Sequence, residues 1–376
     1  MKKIRIVIAD GNRDYLESLA AFIRNSKSSS QFIVSYFSSL DTLNSYIEQG
    51  DMVDILLISS DMYQRDIPRL NEMLIILLED DTLATNNQSL PSIYRYQRLD
   101  QLVGDILGLY YETNEDAGKL LMRNSQTKII SVYSPVGGTG KTTVAVNLAK
   151  QIALNDAKVF YLNLETFNTT KLFLTDDQDD SSLQIFYYAK TASNQLLSKI
   201  EKLKKYDTQA MVDFFDIEIN AQEMLELTNA EIERIINGLL EIGSYDYIIM
   251  DLDSSIHERN ITAMRESDLV LWVVSNDHLG LLKTKAFLDE EVRIFGKENA
   301  VKDKMSIIVN KFNGNLIGDY NEAELSVEGY LPFIQNWIQF QSKSELLGND
   351  DFNREVQMII RKLIMPEQEG VPHSGL

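Results

Sequence analysis

The chain has 376 residues, no cysteine and a formal net charge of −20 at pH 7. This length predicts two or three domains, and the absence of cysteine excludes disulfides, thiolate metal sites and iron–sulfur clusters while fitting the cytosol. The acidic charge repels nucleic acid and anionic lipid at long range, so it argues against both as partners.

Residues 1–112 alternate between short apolar runs and segments with one apolar face. The predicted strands are 4–9, 32–37, 54–58, 74–78 and 92–95, and the predicted helices are 15–23, 40–47, 67–73 and 99–110. The first apolar run is too short, and too interrupted by charge, for a signal peptide. The alternation predicts a doubly wound parallel sheet.

The order and spacing of these elements resemble the receiver domain of two-component systems, which has a flavodoxin-like fold. That family binds Mg²⁺ at an acidic pair after strand one and phosphorylates an aspartate at the end of strand three. Here Asp10 keeps one acid, Ser59 stands at the phosphoacceptor position, Glu79 near the Ser/Thr position, and Arg95 near the lysine position. The resemblance implies an atypical receiver-like domain that docks without phosphotransfer. Asp10, Glu79 and Asp61 are expected to be solvated loop acids.

A polar stretch without hydrophobic periodicity separates this region from the rest of the chain. It predicts a receiver-like domain at 1–112, a linker at 113–126 and an ATP-binding domain at 127–376.

A glycine-rich turn lies between an apolar strand at 129–133 and a helical segment. Backbone N–H groups of such a turn, together with a helix N-terminus, bind phosphates. Lys141 can reach the β and γ phosphates and assist catalysis, and the Thr142 hydroxyl can ligate Mg²⁺. The residues predicted to bind ATP here are Gly137, Gly138, Thr139, Gly140, Lys141, Thr142 and Thr143.

This loop resembles the deviant Walker A motif, KGGxGKT, of the ParA/MinD family of P-loop NTPases. In that family the early lysine reaches across an ATP-sandwiched dimer to the partner's phosphates. Val136 stands at that position, so the resemblance implies ATP binding strongly and cross-subunit catalysis only weakly.

Two further strands end in residues that resemble the family's switch regions. The strand at 158–162 leads to Asn163 and Glu165, where the family has two aspartates, and Glu165 is predicted to orient the attacking water. The strand at 247–250 leads to Asp251, the predicted Walker B ligand of Mg²⁺. Asp253 and Ser255 replace the proline and glycine of the family's switch II hinge.

Late residues in the chain resemble the family's adenine site. Asn310 and Lys311 follow the strand at 305–309, and Pro332 and Phe333 follow the strand at 329–331. In the family such an asparagine bonds the adenine edge, and the backbone at the late proline turn faces the base.

Two further segments, one basic and one amphipathic, are interpreted as structural and not as binding sites. A basic cluster, Lys199, Lys202, Lys204 and Lys205, predicts a solvated helix face. The terminal helix at 351–364 carries few cations, which favours packing into the core over a membrane anchor.

The predicted fold class is α/β, with two doubly wound three-layer α/β/α domains: a flavodoxin-like receiver followed by a P-loop NTPase of the ParA/MinD type. This pairing resembles the TadZ/CpaE family. That resemblance implies a cytoplasmic ATP- and Mg²⁺-binding homodimer with weak or slow ATP hydrolysis. It also implies pilus or secretion machinery proteins as partners, and recruitment to the cell pole or the inner face of the membrane.

Other functions remain open at this point. A DNA-partitioning ParA ATPase is disfavoured by the acidic charge and by the lack of a strong nucleic-acid signal. A receiver-linked transcription activator would carry a helix-turn-helix after the ATPase, and a bacterial tyrosine autokinase would carry a C-terminal tyrosine cluster. Neither feature is seen in the sequence.

Overall fold

The computed structural model divides the chain into two compact units. The first comprises Met1–Ser125, Tyr187–Leu203 and Ile235–Ser244, and the second comprises Gln126–Phe186, Lys204–Arg234 and Tyr245–Leu376. The residues that the structure describes are 3–25, 32–50, 52–64, 67, 73–81, 90–113, 127–176, 181–193, 195–242, 244–296, 300–317, 325–339 and 342–366.

Strands and helices alternate through most of the chain. The strands are β1 Ile4–Ala9, β2 Phe32–Phe37, β3 Ile55–Ser59, β4 Leu74–Glu79, β5 Ser92–Tyr94, β6 Lys128–Tyr133, β7 Val159–Asn163, β8 Lys205–Asp207, β9 Val212–Phe214, β10 Tyr247–Asp251, β11 Leu269–Ser275, β12 Met305–Phe312 and β13 Val327–Pro332. The α-helices are α1 Arg13–Asn25, α2 Leu40–Glu48, α3 Leu99–Thr113, α4 Lys141–Ala153, α5 Gln184–Lys190, α6 Leu196–Leu203, α7 Ala221–Glu226, α8 Asn229–Ile242, α9 Glu258–Glu266, α10 His278–Phe295, α11 Lys343–Leu347 and α12 Asp350–Ile359, which continues as the π-helix Ile360–Ile364.

The first unit contains a parallel sheet in the order β2-β1-β3-β4-β5, which is the flavodoxin-like doubly wound order. Successive side chains of β1 point to opposite faces. Ile6 and Ile8 join a cluster with α1 and α3, whereas Val7 and Ala9 join a second cluster with α2. Helices therefore cover both faces, as the uninterrupted apolar character of the strands requires. The relation of this unit to receiver domains stays a prediction.

The second unit contains a sheet in the order β13-β12-β11-β6-β10-β7-β9-β8, parallel except for the β8–β9 pair. Strand β10 lies between β6 and β7, with Asp251 level with both Val132 and Asn163. The carboxyl ends of these three central strands therefore meet at one edge of the sheet, where doubly wound folds bind ligands.

The terminal helix packs into the core of the second unit, as predicted. Phe352, Val356, Ile359, Ile360 and Ile364 are buried in the same cluster as the apolar side chains of α4. Among the described residues, no helix is long and apolar enough to cross a bilayer.

Two charged side chains differ from the sequence expectation. Asp10 was expected in solvent but is only 2% exposed, because Arg95 pairs with it inside the first unit. Lys205 was expected on a solvated helix face but lies in β8, buried, with its Nζ 3.7 Å from Asp216 Oδ2. Asp61 is exposed, as expected.

Several predicted features fall outside the described residues. The predicted helix 67–73 is described only at its two ends, and residues 114–126 of the predicted linker are not described. The boundaries at 112 and 127 therefore stay predictions.

Candidate functional site

The loop between β6 and α4 has the backbone conformation that its glycines permit. Gly138 and Gly140 have φ angles of +73° and +91°, in the left-handed region that favours glycine. A Cβ added to Gly140 would also lie 2.4 Å from Asn310 Nδ2. Both strain and space therefore restrict this position to glycine. Helix α4 begins at Lys141, so the unpaired N–H groups of its first turn lie at the loop and can bind an anion.

Lys141 extends from the first turn of α4 toward the end of β10. Its side chain is mostly buried, and its Nζ donates to Ser254 Oγ at 3.1 Å. A lysine held at this place can neutralise phosphate oxygens bound by the loop. Val136, on the same loop, is partly exposed and donates its backbone N–H to Ser134 Oγ at 3.2 Å.

Two carboxylates lie at the same edge of the sheet. Asp251 is the last residue of β10 and is fully buried, and Glu165 follows β7 by two residues. The Thr142 hydroxyl donates to Glu165 Oε2 at 3.2 Å. The structure thus brings the predicted phosphate, metal and catalytic residues, Lys141, Thr142, Glu165 and Asp251, into one site.

The electrostatics of this site suit a cation. Burial, and then the negative charge of Glu165, raise the pKa of Asp251 well above its usual range. Burial also raises the pKa of Glu165, against the lowering effect of the Lys141 charge. Asp251 Oδ1 is buried, and no hydrogen-bond partner for it lies within the part of the chain that the structure describes. A hard divalent ion such as Mg²⁺, which prefers oxygen ligands, fits these groups.

A hydrogen-bond chain connects the two acidic segments. Tyr161 Oη donates to Asp251 Oδ2 at 2.8 Å, and Asn163 Nδ2 donates to Tyr161 Oη at 3.1 Å. Asn163 Oδ1 in turn accepts from the Glu165 backbone N–H at 2.8 Å. Sequence reasoning missed Tyr161, because a tyrosine within an apolar strand indicates core. Its position two residues before Asn163, on the same face of β7, was the available signal.

Arg259 is a second residue that the sequence did not reveal. It is fully buried on α9 and donates to the carbonyl oxygens of Leu164 at 2.8 Å and Met224 at 3.0 Å. It also pairs with Asp253, two residues beyond the end of β10. Burial raises the pKa of Asp253, but hydrogen bonds from Ser255 and the charge of Arg259 hold it well below its usual range.

The predicted adenine-site residues lie beside the loop or near the end of β13. Asn310 is buried, and its Nδ2 donates to the Thr139 carbonyl at 2.8 Å. Lys311 Nζ donates to the Gly138 carbonyl at 2.7 Å. Pro332 ends β13, and Phe333 is half exposed and bonds the Phe312 carbonyl through its N–H. Asn310 and Lys311 thus support the loop, and contact with the base stays a prediction for all four.

At the strand ends of the first unit, Arg95 forms ion pairs with Asp10 and Asp80. A receiver domain would have its acidic site at this place. Arg95 Nη1 lies 2.8 Å from Asp10 Oδ2, and Arg95 Nε lies 2.8 Å from Asp80 Oδ1. The guanidinium also lies 5.0 Å and 4.8 Å from the ring centroids of Tyr15 and Tyr96. The charge of Asp10 is therefore already compensated by protein groups.

Comparison with known proteins finds a family match and two curated relatives. Residues 127–305 match the family model of the AAA domain. An uncharacterized ATP-binding protein of Methanocaldococcus jannaschii is 26% identical over 219 residues, which cover 56% of this chain and 76% of that protein. A second uncharacterized protein of the same organism is 26% identical over 199 residues, covering 49% of this chain and 72% of that protein.

Solved structures show the same fold at low sequence identity. The septum site-determining protein MinD of Pyrococcus horikoshii, in complex with Mg-ADP, aligns with a TM-score of 0.50 and 17% identity over 63% of this chain and 96% of that chain. A ParA family ATPase of Chlorobium tepidum aligns with a TM-score of 0.51 and 17% identity over 64% and 99%. Residues 127–305 thus match the AAA domain family, and the chain shares its fold with these two structures over about the same region.

Proposed function

We propose that this chain binds ATP with Mg²⁺ at the β6–α4 loop and hydrolyses it slowly. The observation that carries the proposal is the convergence of Lys141, Thr142, Glu165 and Asp251 at the carboxyl ends of three adjacent strands. Such a set contains a cation for phosphate, oxygen ligands for a metal and a carboxylate for a water molecule.

Each side chain has a distinct part in this chemistry. The loop N–H groups and Lys141 hold the phosphates, and Thr142 and Asp251 hold the metal site. Mg²⁺, when bound, neutralises charge that develops on the transferring phosphoryl group. Glu165 accepts a hydrogen bond from the attacking water and orients it in line with the scissile bond. Because Val136 supplies no positive charge, the transition state is stabilised less than in an enzyme with a lysine there.

We further propose a positional role: a nucleotide-dependent homodimer that marks where a tight-adherence pilus or secretion machine assembles. Support comes from the order of the chain, in which a unit with the 2-1-3-4-5 sheet precedes the nucleotide site. The site is suited to persistent binding more than to fast turnover, which agrees with a marker. A role in DNA partition is the alternative, and the net charge of −20 weighs against it.

Thermal unfolding with and without MgATP tests nucleotide binding. A ligand that binds only the native state at 100 times its Kd stabilises it by about 2.7 kcal/mol. We expect MgATP to raise the Tm of the wild type and to leave the Tm of Lys141→Ala nearly unchanged. Lys171→Ala, which removes an exposed lysine of the same unit, is the matched control and should respond like the wild type. An equal shift in wild type and Lys141→Ala contradicts the proposal.

A further inference from the structure

We infer that Tyr161 is a positioning residue for the metal site. Its hydroxyl fixes the Asp251 carboxylate and connects it to the backbone of Glu165. This inference rests on the proposed MgATP site and adds a residue that the loop motifs do not contain.

The positions of Asn163 and Asp251 determine which hydrogen bond the Tyr161 hydroxyl donates and which it accepts. Tyr161 and Asn163 lie on the same face of β7, two residues apart, so their Cα atoms are separated by about 6.6 Å along the strand. A tyrosine side chain spans this rise and reaches the level of Asp251, which pairs with Asn163 across the sheet. There Tyr161 Oη donates to Asp251 Oδ2 at 2.8 Å and accepts from Asn163 Nδ2 at 3.1 Å. Since the hydroxyl has one proton, the accepted bond directs that proton to Asp251.

The consequence for Asp251 is a fixed orientation. Its Oδ2 is held by Tyr161, whereas its buried Oδ1 has no hydrogen-bond partner among the described residues. One oxygen is therefore engaged and the other is left for a metal or its water. Groups that hold a ligating carboxylate in this way typically change metal affinity by about 10- to 100-fold.

The same chain reaches the water-orienting segment. Asn163 Oδ1 accepts the N–H of Glu165, whose carboxylate accepts from Thr142. Tyr161 and Asn163 thus connect the metal acid on β10 to the backbone that positions Glu165 after β7. Neither residue belongs to the phosphate loop, so we expect their effect on the metal site and not on the affinity for free nucleotide.

The test is a titration of Mg²⁺ into full-length protein with a fluorescent ADP analogue, read as nucleotide affinity. Tyr161→Phe removes only the hydroxyl oxygen. We expect it to bind the analogue like the wild type without Mg²⁺ and to need about 10-fold or more Mg²⁺ for the half-maximal gain in affinity. A packing role alone would lower the Tm and leave the Mg²⁺ titration unchanged.

Two variants complete the test. Tyr133→Phe is the matched control, because Tyr133 is equally buried in β6 of the same sheet and its hydroxyl donates to the Ser255 carbonyl at 3.4 Å, not to a carboxylate. Asn163→Ala removes the donor to Tyr161 and should shift the Mg²⁺ titration in the same direction. If Tyr161→Phe fails to fold, the Mg²⁺ titration of Asn163→Ala tests the inference in its place.

The outcomes separate this inference from the proposed function. A Tyr161→Phe titration within about twofold of the wild type, while Asp251→Asn abolishes the Mg²⁺ effect, overturns the inference and leaves the MgATP site intact. Loss of the Mg²⁺ effect in the wild type itself overturns both.

Discussion

Val136 is the residue of the phosphate loop that argues most directly for slow hydrolysis, because it stands where the ParA/MinD motif has a lysine. It is partly exposed and uncharged, so it offers no positive charge to a phosphoryl group. A positive charge supplied in trans to a transferring phosphoryl group, as by an arginine finger, accelerates transfer by about 10³ to 10⁵. Its lack predicts nucleotide binding with poor turnover.

We therefore expect wild-type protein to release phosphate slowly and Val136→Lys to release it faster, by up to about 10³-fold. Steady-state phosphate release measures both. Val136→Met is the control, since it lengthens the side chain without adding charge and should not accelerate release. A wild type that already turns over several times a second, together with an unchanged Val136→Lys rate, would mean that another residue supplies the charge.

Some site residues could be predicted from the sequence and others could not, because the contacts of the latter are made with residues far away along the chain. Loop residues 137–143 are contiguous, so their chemistry is visible in one stretch. Arg259 contacts Leu164, 95 positions away, and no local pattern announces such a contact. Asp10 was misjudged for the same reason, because its partner Arg95 is 85 positions away. Propensity and spacing locate an acid at a strand end, but only tertiary packing shows whether it is solvated.

At the scale of elements, Arg259 joins three segments around the site. Its guanidinium contacts the residue after β7, the end of α7 and the loop after β10. Asp253 and Asn260 add a second connection, since Asn260 Nδ2 donates to Asp253 Oδ1. Where the ParA/MinD resemblance implies a proline–glycine hinge, this chain has a hydrogen-bonded ion pair. We expect this network to hold the two acidic loops in a fixed arrangement.

Replacing Arg259 with methionine should therefore destabilise the fold. Breaking one partner of a buried ion pair costs about 3 to 5 kcal/mol, and the partial exposure of Asp253 favours the lower end. We expect the free energy of unfolding in urea to fall by about 3 kcal/mol. Arg293→Met, which breaks an exposed pair with Glu290, is the control and should cost less than about 1 kcal/mol. Equal losses in the two variants would show that the network contributes little.

The strand ends of the first unit lead to a separate prediction about phosphorylation. Ser59 ends β3 where a receiver would have its phosphoacceptor, and Arg95 compensates Asp10. A metal ion needed for phosphotransfer would have to displace that ion pair. The unit should therefore remain unmodified by small phosphodonors.

Intact-mass measurement of the full chain after incubation with acetyl phosphate and Mg²⁺ checks this expectation. The full chain is required because the first unit includes residues from beyond position 186. We expect no added phosphate on the wild type, and none on Arg95→Met either, because Ser59 leaves no carboxylate at the phosphoacceptor position even without the ion pair. A stoichiometric adduct on Asp61 or Asp10 would show that the register of the resemblance is wrong.

The alternation of strands and helices in both units was predictable from the sequence. It was not predictable that segments 187–203 and 235–244 belong to the first unit. Buried parallel strands appear in the sequence as continuous apolar runs. Helix α6 of the first unit packs on α3 at Gly104 and Gly108. These glycines allow a close approach, since a Cβ on Gly108 would lie 3.3 Å from Ser198 Oγ. These helices are separated by more than eighty residues, and neither carries a motif. The helical periodicity predicts an apolar face but not the surface that it covers.

At the scale of the whole molecule, the net charge of −20 shapes the choice of partner. Positively charged contacts to the phosphate backbone dominate DNA affinity, and a net charge of −20 opposes them. A second copy of the chain faces the same repulsion at long range, so an apolar contact must overcome it. The second unit carries exposed apolar side chains on the loops and helix beside the nucleotide site: Phe167, Ile219, Leu225 and Ile256.

Hydrogen bonds hold these segments next to one another. Asn168 Nδ2 donates to the Ile217 carbonyl at 3.0 Å, and His257 Nε2 lies 2.9 Å from the Leu225 carbonyl. Each of the four apolar residues is more than half exposed. Exposed apolar side chains grouped on connected segments favour an association site. We expect this apolar surface to be covered in a nucleotide-dependent homodimer.

Light scattering with and without MgATP measures this association. We expect the mass to rise from monomer to dimer when MgATP is added, and the dimer to persist because turnover is slow. Ile256→Asp should keep the protein monomeric, since it places a charge in the apolar contact. Met358→Asp, at an exposed position on α12, is the control and should dimerise like the wild type. A wild type that stays monomeric in saturating MgATP would contradict the nucleotide-dependent dimer. Binding of random DNA with a steep salt dependence would favour the DNA-partition alternative over a positional marker.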